Sequence, residues 1–243
     1  MVGKNPWLLL IFVLVPISII ALRPTPASPL SELPPVIIWA WERPEKLDFI
    51  DTDQVGVAFL AKTVRLEGDR VVSKPRLQPL ELARGTKLIA VVRIESDRPT
   101  LSSTQLQKTA DEIARVSALS NVSVVQIDFD ATVSERSFYR ALLQKVKPRL
   151  RSLSITALAS WCAGDNWLAD LPIDEAVPMF FRMGLDKQNF QSGRAITTPI
   201  CQNAAGVSID EPYKPSDVDR LYIFSPEPWS RDSLNSALET YKR

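Results

Sequence analysis

The chain has 243 residues, 45% of them hydrophobic, and a formal net charge of +1, a balance that gives no sign of a nucleic-acid or anionic-membrane partner. It contains no histidine, which excludes Ser-His-Asp and Cys-His catalysis and histidine-based zinc sites. With only 8 glycines, it has neither a dinucleotide-binding nor a P-loop glycine motif. Acid–base chemistry would therefore depend on carboxylates, lysine or tyrosine, and we predict no cofactor and no metal site.

Residues 1–27 have the layout of an export signal. Lys4 precedes an apolar run over residues 7–22. Thr25, Pro26 and Ala27 then form a predicted signal-peptide cleavage site before Ser28. The run is shorter than the roughly 20 residues that cross a bilayer comfortably, although an uncleaved anchor is the alternative. We expect a periplasmic or extracellular protein that touches the inner membrane only through this segment, if the segment is retained.

Prolines at positions 29, 34 and 35 predict an extended linker over residues 28–35. Residues 36–243 are predicted to form one domain. Eight apolar runs in it are predicted strands, at 36–41, 55–61, 87–94, 122–127, 154–159, 176–181, 205–209 and 221–224. Helix patterns follow Ser102 or Ser103 and Ser134, and a closing helix is predicted over 232–241.

Strands that alternate with helices predict parallel β-α units, and eight of them predict closure into a (β/α)8 TIM-type barrel of the α/β class. Two places depart from a regular repeat. Residues 62–86 favour a hairpin that turns at Gly68 and Asp69, and residues 211–220 are too few for a full helix. The barrel is therefore predicted to be irregular, with some short connections.

The two cysteines, Cys162 and Cys201, are not part of a C-x-x-C pair. In an exported chain they predict a disulfide between two rim loops. Closing a loop of about 40 residues contributes roughly 3 to 4 kcal/mol. A catalytic thiolate would lack a histidine partner.

The strand that ends at residue 130 has two different faces. Gln126, Asp128 and Asp130 share one parity, and the apolar Ile127 and Phe129 share the other. A strand whose inner face ends in carboxylates is typical of the active-site rim of a (β/α) barrel enzyme. We predict Asp130 as a general acid and Asp128 as the neighbour that tunes it.

Other strand ends supply further candidates. Asp210 or Glu211 is predicted as the nucleophile or base that pairs with Asp130, because glycosidic-bond cleavage uses two carboxyl groups. Aromatic faces hold sugar rings, so a substrate cleft is predicted. Its predicted lining is Trp39, Trp41, Glu42, Glu95, Trp161 and Arg182. The structural alternative is an ion-pair network in which Arg93, Glu95 and Arg182 neutralise Asp128.

Several segments together resemble an uncharacterised bacterial family, domain of unknown function 3142. They are Trp39-Ala-Trp-Glu-Arg-Pro44, Val125-Gln-Ile-Asp-Phe-Asp130, Ser160-Trp-Cys162 with Asp165 and Trp167, Asp174-Glu-Ala-Val-Pro178, Phe181-Arg-Met-Gly184 and Ser208-Ile-Asp-Glu-Pro212. The resemblance implies a glycosidase-like barrel without an established activity. The segment ending at Asp130 also resembles the D-x-D-x-E motif of chitinase-type glycosidases, except that Thr132 replaces the last acid.

These patterns favour an exported glycoside-hydrolase-like protein that acts on a polysaccharide or oligosaccharide by carboxylate chemistry. The alternative is a non-catalytic glycan-binding or scaffolding barrel of the cell envelope, which the threonine at position 132 motivates. A third class, a metal-assisted hydrolase that uses only Asp and Glu, has no ligand spacing to support it.

Overall fold

The computed structural model of the protein describes residues 28–97, 101–215 and 217–241, so the predicted signal segment 1–27 lies outside the described residues. The strands in these ranges are β1 (Val36–Ala40), β2 (Glu45–Leu47), β3 (Val55–Glu67), β4 (Arg70–Pro75), β5 (Leu80–Leu82), β6 (Leu88–Ser96), β7 (Val122–Asp128), β8 (Leu153–Leu158), β9 (Glu175–Met179), β10 (Ala204–Ser208) and β11 (Arg220–Phe224). The α-helices there are α1 (Ser103–Val116), α2 (Arg136–Val146), α3 (Lys187–Gln191) and α4 (Arg231–Thr240).

Eight of these strands form a closed parallel barrel, which confirms the predicted TIM-type fold. The order around it is β1, β3, β6, β7, β8, β9, β10, β11, and β1 pairs with both β3 and β11 to close the ring. All eight predicted strands are present. β3 runs past its predicted end to Glu67, where it pairs with β4 in the predicted antiparallel hairpin.

Strand alternation divides the apolar residues between the barrel interior and an outer layer. The interior holds Ile37, Trp39, Ala58, Ile89, Val91, Val124, Val177, Ala204 and Tyr222. Leu33 joins this cluster after the 3-10 turn Pro29–Glu32, which Ser28 caps. The segment 28–35 thus packs against the end of the barrel where the strands begin, instead of forming the extended linker that its prolines predicted.

The outer layer is helical on one side of the barrel. α1 begins after Ser102, one of its two predicted caps, which forms a capping box with Gln105. α2 begins two residues later than its predicted cap at Ser134, because the 3-10 turn Val133–Glu135 comes first. The Glu135 carboxylate accepts a hydrogen bond from the Thr132 amide at 2.7 Å, so the cap belongs to Thr132. α4 closes the chain close to its predicted position.

The other side of the barrel has few helices, as the short connections predicted. The connections after β8 and β9 contain 3-10 turns and one α-helix, the five-residue α3, and the described residues of the connection after β10 contain neither. The predicted disulfide between Cys162 and Cys201 is present on this side and is buried. Cys201 lies just before β10, so the bridge ties the outer layer together and does not join two rim loops as predicted.

This disulfide is typical of proteins from oxidising compartments and so agrees with export. None of the helices that the structure describes has the length and apolar character needed to cross a membrane.

Replacing both cysteines by alanine should lower the free energy of unfolding by about 3 to 4 kcal/mol, because the bridge spans 39 residues of a helix-poor segment. Urea denaturation of the full chain measures the loss. A reducing agent should destabilise the wild type to a similar extent and leave the double variant unchanged. Equal stability of the oxidised wild type and the double variant would contradict this role.

Candidate functional site

A cavity of about 240 Å³ opens at the end of the barrel where the strands finish. This is the face on which TIM barrels carry their active sites. The lining comes from six strands and the residues just beyond them: Trp39, Trp41, Val91, Arg93, Asp128, Asp130, Thr156, Leu158, Met179, Phe181, Arg182 and Phe224. The structure therefore brings together five predicted site residues, namely Trp39, Trp41, Asp128, Asp130 and Arg182.

Asp128 is the last residue of β7 and is partly buried. It accepts a hydrogen bond at 2.7 Å from the Thr156 hydroxyl on β8, and on β6 it is in register with Arg93. Desolvation by burial, followed by the negative charge of Asp130, raises the pKa of Asp128 above its ordinary value of 3.8. The Thr156 hydrogen bond and the charge of Arg93 act in the opposite direction without cancelling the effect.

Asp130 lies two residues further along, closer to solvent at the mouth of the cavity. Desolvation also raises the pKa of this carboxyl, and the positive charge of Arg93 opposes the rise. Because the charge of Asp130 adds to the pKa rise of the deeper Asp128, the two carboxyls form an interacting pair. Such a pair retains a proton at a higher pH than an ordinary aspartate does, as a proton donor requires.

Trp39 forms the floor of the cavity and is only 3% exposed. Its indole N–H donates to Gln126 Oε1 at 3.3 Å, and the Gln126 amide donates to Ser154 Oγ at 3.1 Å. Ser154 in turn donates to Glu175, which also accepts from the Tyr222 hydroxyl at 2.6 Å. This buried network fixes the orientation of the floor, and the sequence analysis did not predict it.

Aromatic rings form one wall of the cavity. Phe181 stacks on Phe224, with ring centroids 5.4 Å apart and planes within 7°, and Trp41 meets Phe224 edge-on at 6.3 Å. The Arg93 guanidinium lies over Trp41 at 5.3 Å, and that of Arg182 lies over Phe224 at 5.3 Å. The sequence analysis missed Phe181 and Phe224, although both follow the inward parity of their strands.

A groove of about 510 Å³ adjoins the cavity and shares Arg93, Asp128 and Asp130 with it. Glu95 lines this groove and pairs with Arg93 at 3.0 Å and with Arg65 at 3.3 Å. The predicted ion network of Arg93, Glu95 and Arg182 is therefore present only in part. Its Arg93–Glu95 pair is about 40% exposed instead of buried.

The predicted partners of Asp130 lie elsewhere. Asp210 is exposed and accepts a hydrogen bond from the Ser208 hydroxyl. Glu211 accepts from the Arg182 backbone amide at 3.3 Å and pairs with Lys187 at 3.4 Å. Neither carboxylate lines the cavity or the adjoining groove, and these contacts with Ser208, Arg182 and Lys187 hold them elsewhere.

Two predicted substrate contacts also lie outside the cavity. Trp161 is 3% exposed and packs edge-on against Trp167 at 4.8 Å in the outer layer, so it offers no face to a ligand. Glu42 accepts a hydrogen bond from the Leu77 amide at 3.2 Å and does not line the cavity. Within the described ranges no group of three or more Cys, Asp or Glu side chains could hold a metal ion.

Replacing Asp128 by asparagine should flatten the pH dependence of stability. A carboxyl whose pKa is higher in the folded than in the unfolded state destabilises the fold as the pH rises above 3.8, because the unfolded state then releases its proton first. Asp128→Asn removes that loss and should be more stable than the wild type at neutral pH. Denaturation midpoints from about pH 4 to about pH 8 measure the slope.

Thr156→Val is the matched control, because it removes the hydrogen bond that favours the charged form of Asp128. Its stability should fall more steeply with pH than that of the wild type. An unchanged slope in Asp128→Asn would contradict the raised pKa.

No protein-family model, curated protein or solved structure matches the chain. The resemblance to domain of unknown function 3142 therefore stays a prediction that rests on the quoted segments. The fold and the geometry of the barrel mouth are the features of this protein that bear on its function.

Proposed function

We propose that the protein is an exported glycoside-hydrolase-like enzyme that binds a polysaccharide or oligosaccharide at the barrel mouth and cleaves it with Asp128 and Asp130. One observation carries the proposal: two interacting carboxyls with raised pKa values share an aromatic-walled cavity at the face where TIM barrels hold their active sites. The disulfide agrees with export.

The depth of the two carboxyls assigns their roles. The pKa values of both carboxyls are raised, and Asp128 is the deeper of the pair with the charge of Asp130 adding to its rise, so we assign the shared proton to Asp128. Asp128 then protonates the leaving glycosidic oxygen, while the Asp130 carboxylate takes a proton from the attacking water. The sequence had instead suggested Asp130 as the general acid, Asp128 as the neighbour that tunes it, and Asp210 or Glu211 as the nucleophile or base.

β7 ends at Asp128, Asp130 lies two residues beyond it, and both carboxylates line the cavity. Inverting glycosidases keep their two carboxyl groups roughly 6.5 to 9.5 Å apart, which leaves room for a water. The aromatic wall formed by Trp41, Phe181 and Phe224 would contact the apolar side of the sugar ring. Because Asp130 would activate a water and would not attack the sugar itself, we propose inversion at the reacting carbon.

Reducing-end release from a panel of bacterial and plant polysaccharides by the full chain tests the proposal. Asp128→Asn and Asp130→Asn should each lower the rate by about 10² to 10⁴-fold while the protein stays folded, because each removes one proton-transfer group. Asp210→Asn is the matched control and should keep its activity, since Asp210 lies outside the cavity. Full activity in either cavity variant would overturn the assignment.

A non-catalytic glycan-binding barrel is the second candidate. Both cavity carboxylates come from β7 or from the residues just after it, and in the described part of the chain no carboxylate from another strand lines the cavity. This arrangement favours the second candidate. Two results together would support this candidate. The wild type would bind a glycan without releasing reducing ends, and the Asp130→Asn variant would bind that glycan equally well.

A further inference from the structure

Arg182 stands out among the residues of the cavity wall. It follows β9 with φ of +52°, a left-handed conformation that residues other than glycine rarely adopt. Its backbone amide donates to Glu211 Oε2 at 3.3 Å, and Glu211 is itself held by Lys187. The surrounding loops thus hold this backbone in an unfavourable conformation that directs the side chain over the cavity.

The guanidinium of Arg182 has an aromatic neighbour but no acidic one. It lies 5.3 Å from the centre of the Phe224 ring, and none of the carboxylates in the described residues lies within the 4.0 Å of an ion pair. Arg93, the other cation of the cavity, is paired with Glu95 at 3.0 Å. Arg182 is therefore the cavity cation with its hydrogen-bond donors free for a ligand.

The order of strands puts Arg182 and the two carboxyls on different sides of the cavity. Asp128 and Asp130 belong to β7 and its end, whereas Arg182 follows β9, two strands further around the ring. The stacked Phe181 and Phe224 lie beside Arg182. A sugar ring on this aromatic wall would have one edge towards the carboxyls and another towards the guanidinium.

We propose that the barrel mouth selects a sugar with an anionic substituent, which Arg182 binds while the glycosidic oxygen faces Asp128. This inference rests on the proposed carbohydrate function and names its substrate class. A guanidinium presents parallel N–H donors that match the oxygens of a carboxylate, and a sulfate ester offers the same acceptors. Repulsion by Asp130 would disfavour the reversed orientation, so the anionic group also sets which bond reaches the carboxyls.

Equilibrium binding to the full chain tests the inference without requiring turnover. The probes are glucuronate, galacturonate and mannuronate, each compared with its methyl ester, together with glucose 6-sulfate compared with glucose. Each pair keeps the sugar ring and differs in whether the substituent carries a negative charge. We expect the wild type to bind at least one anionic member about tenfold more tightly than its neutral partner.

Substitutions of Arg182 test whether this side chain causes the preference for the anionic sugar. Arg182→Gln should lose it, and Arg182→Lys should keep part of it through the positive charge alone. Arg231→Gln is the matched control, since Arg231 also lies 5.3 Å from an aromatic ring, that of Phe49, but outside the cavity. This control should keep the full preference.

Each outcome of the binding experiment bears on the inference about Arg182. Equal binding of charged and neutral partners would overturn the inference and leave the proposed carbohydrate function standing. A preference that persists in Arg182→Gln would also overturn it. Failure of every charged and neutral sugar to bind, together with no reducing-end release, would overturn both the inference and the proposed function.

Discussion

The hydrogen bonding of β1 to both β3 and β11 is the constraint on which the rest of the structure depends. It closes the sheet, so no edge remains in the ring and each barrel strand has one inward and one outward parity. Asp128 and Trp39 face the same cavity because of this closure. The site is a consequence of strand parity, and no long loop is needed to assemble it.

Closure also requires every polar group inside the barrel to find a partner, because an unsatisfied buried group costs far more than a hydrogen bond contributes. Gln126, Ser154, Glu175 and Tyr222 bond to one another, and Arg220 pairs with Glu175 at 2.5 Å. The network holds Trp39 in place from below. The cavity floor is thereby preorganised, and ligand binding does not have to order it.

The sequence was sufficient for the strands and for side chains that continue the inward parity of a strand, and insufficient where contacts of the loops redirect a side chain. The eight strands and the inward position of Asp128 follow from periodicity, and the inward Phe224 could have been found by the same rule. Asp210 lies beyond β10, where hydrogen bonds of the loop direct the side chain. Trp161 lies in a 3-10 turn with a period near three, which directs its ring into the outer core.

Glu211 shows how a residue can belong to a site without lining it. Its carboxylate is occupied by the Arg182 amide and by Lys187, so it is not a free nucleophile in this arrangement. The same contacts stabilise the left-handed backbone of Arg182, which no local preference of arginine would favour. Cys201 anchors the far end of the connection that begins beyond β9. Glu211, one of the two acids that the sequence offered as the partner of Asp130, thus contacts the backbone from which the Arg182 side chain reaches the cavity.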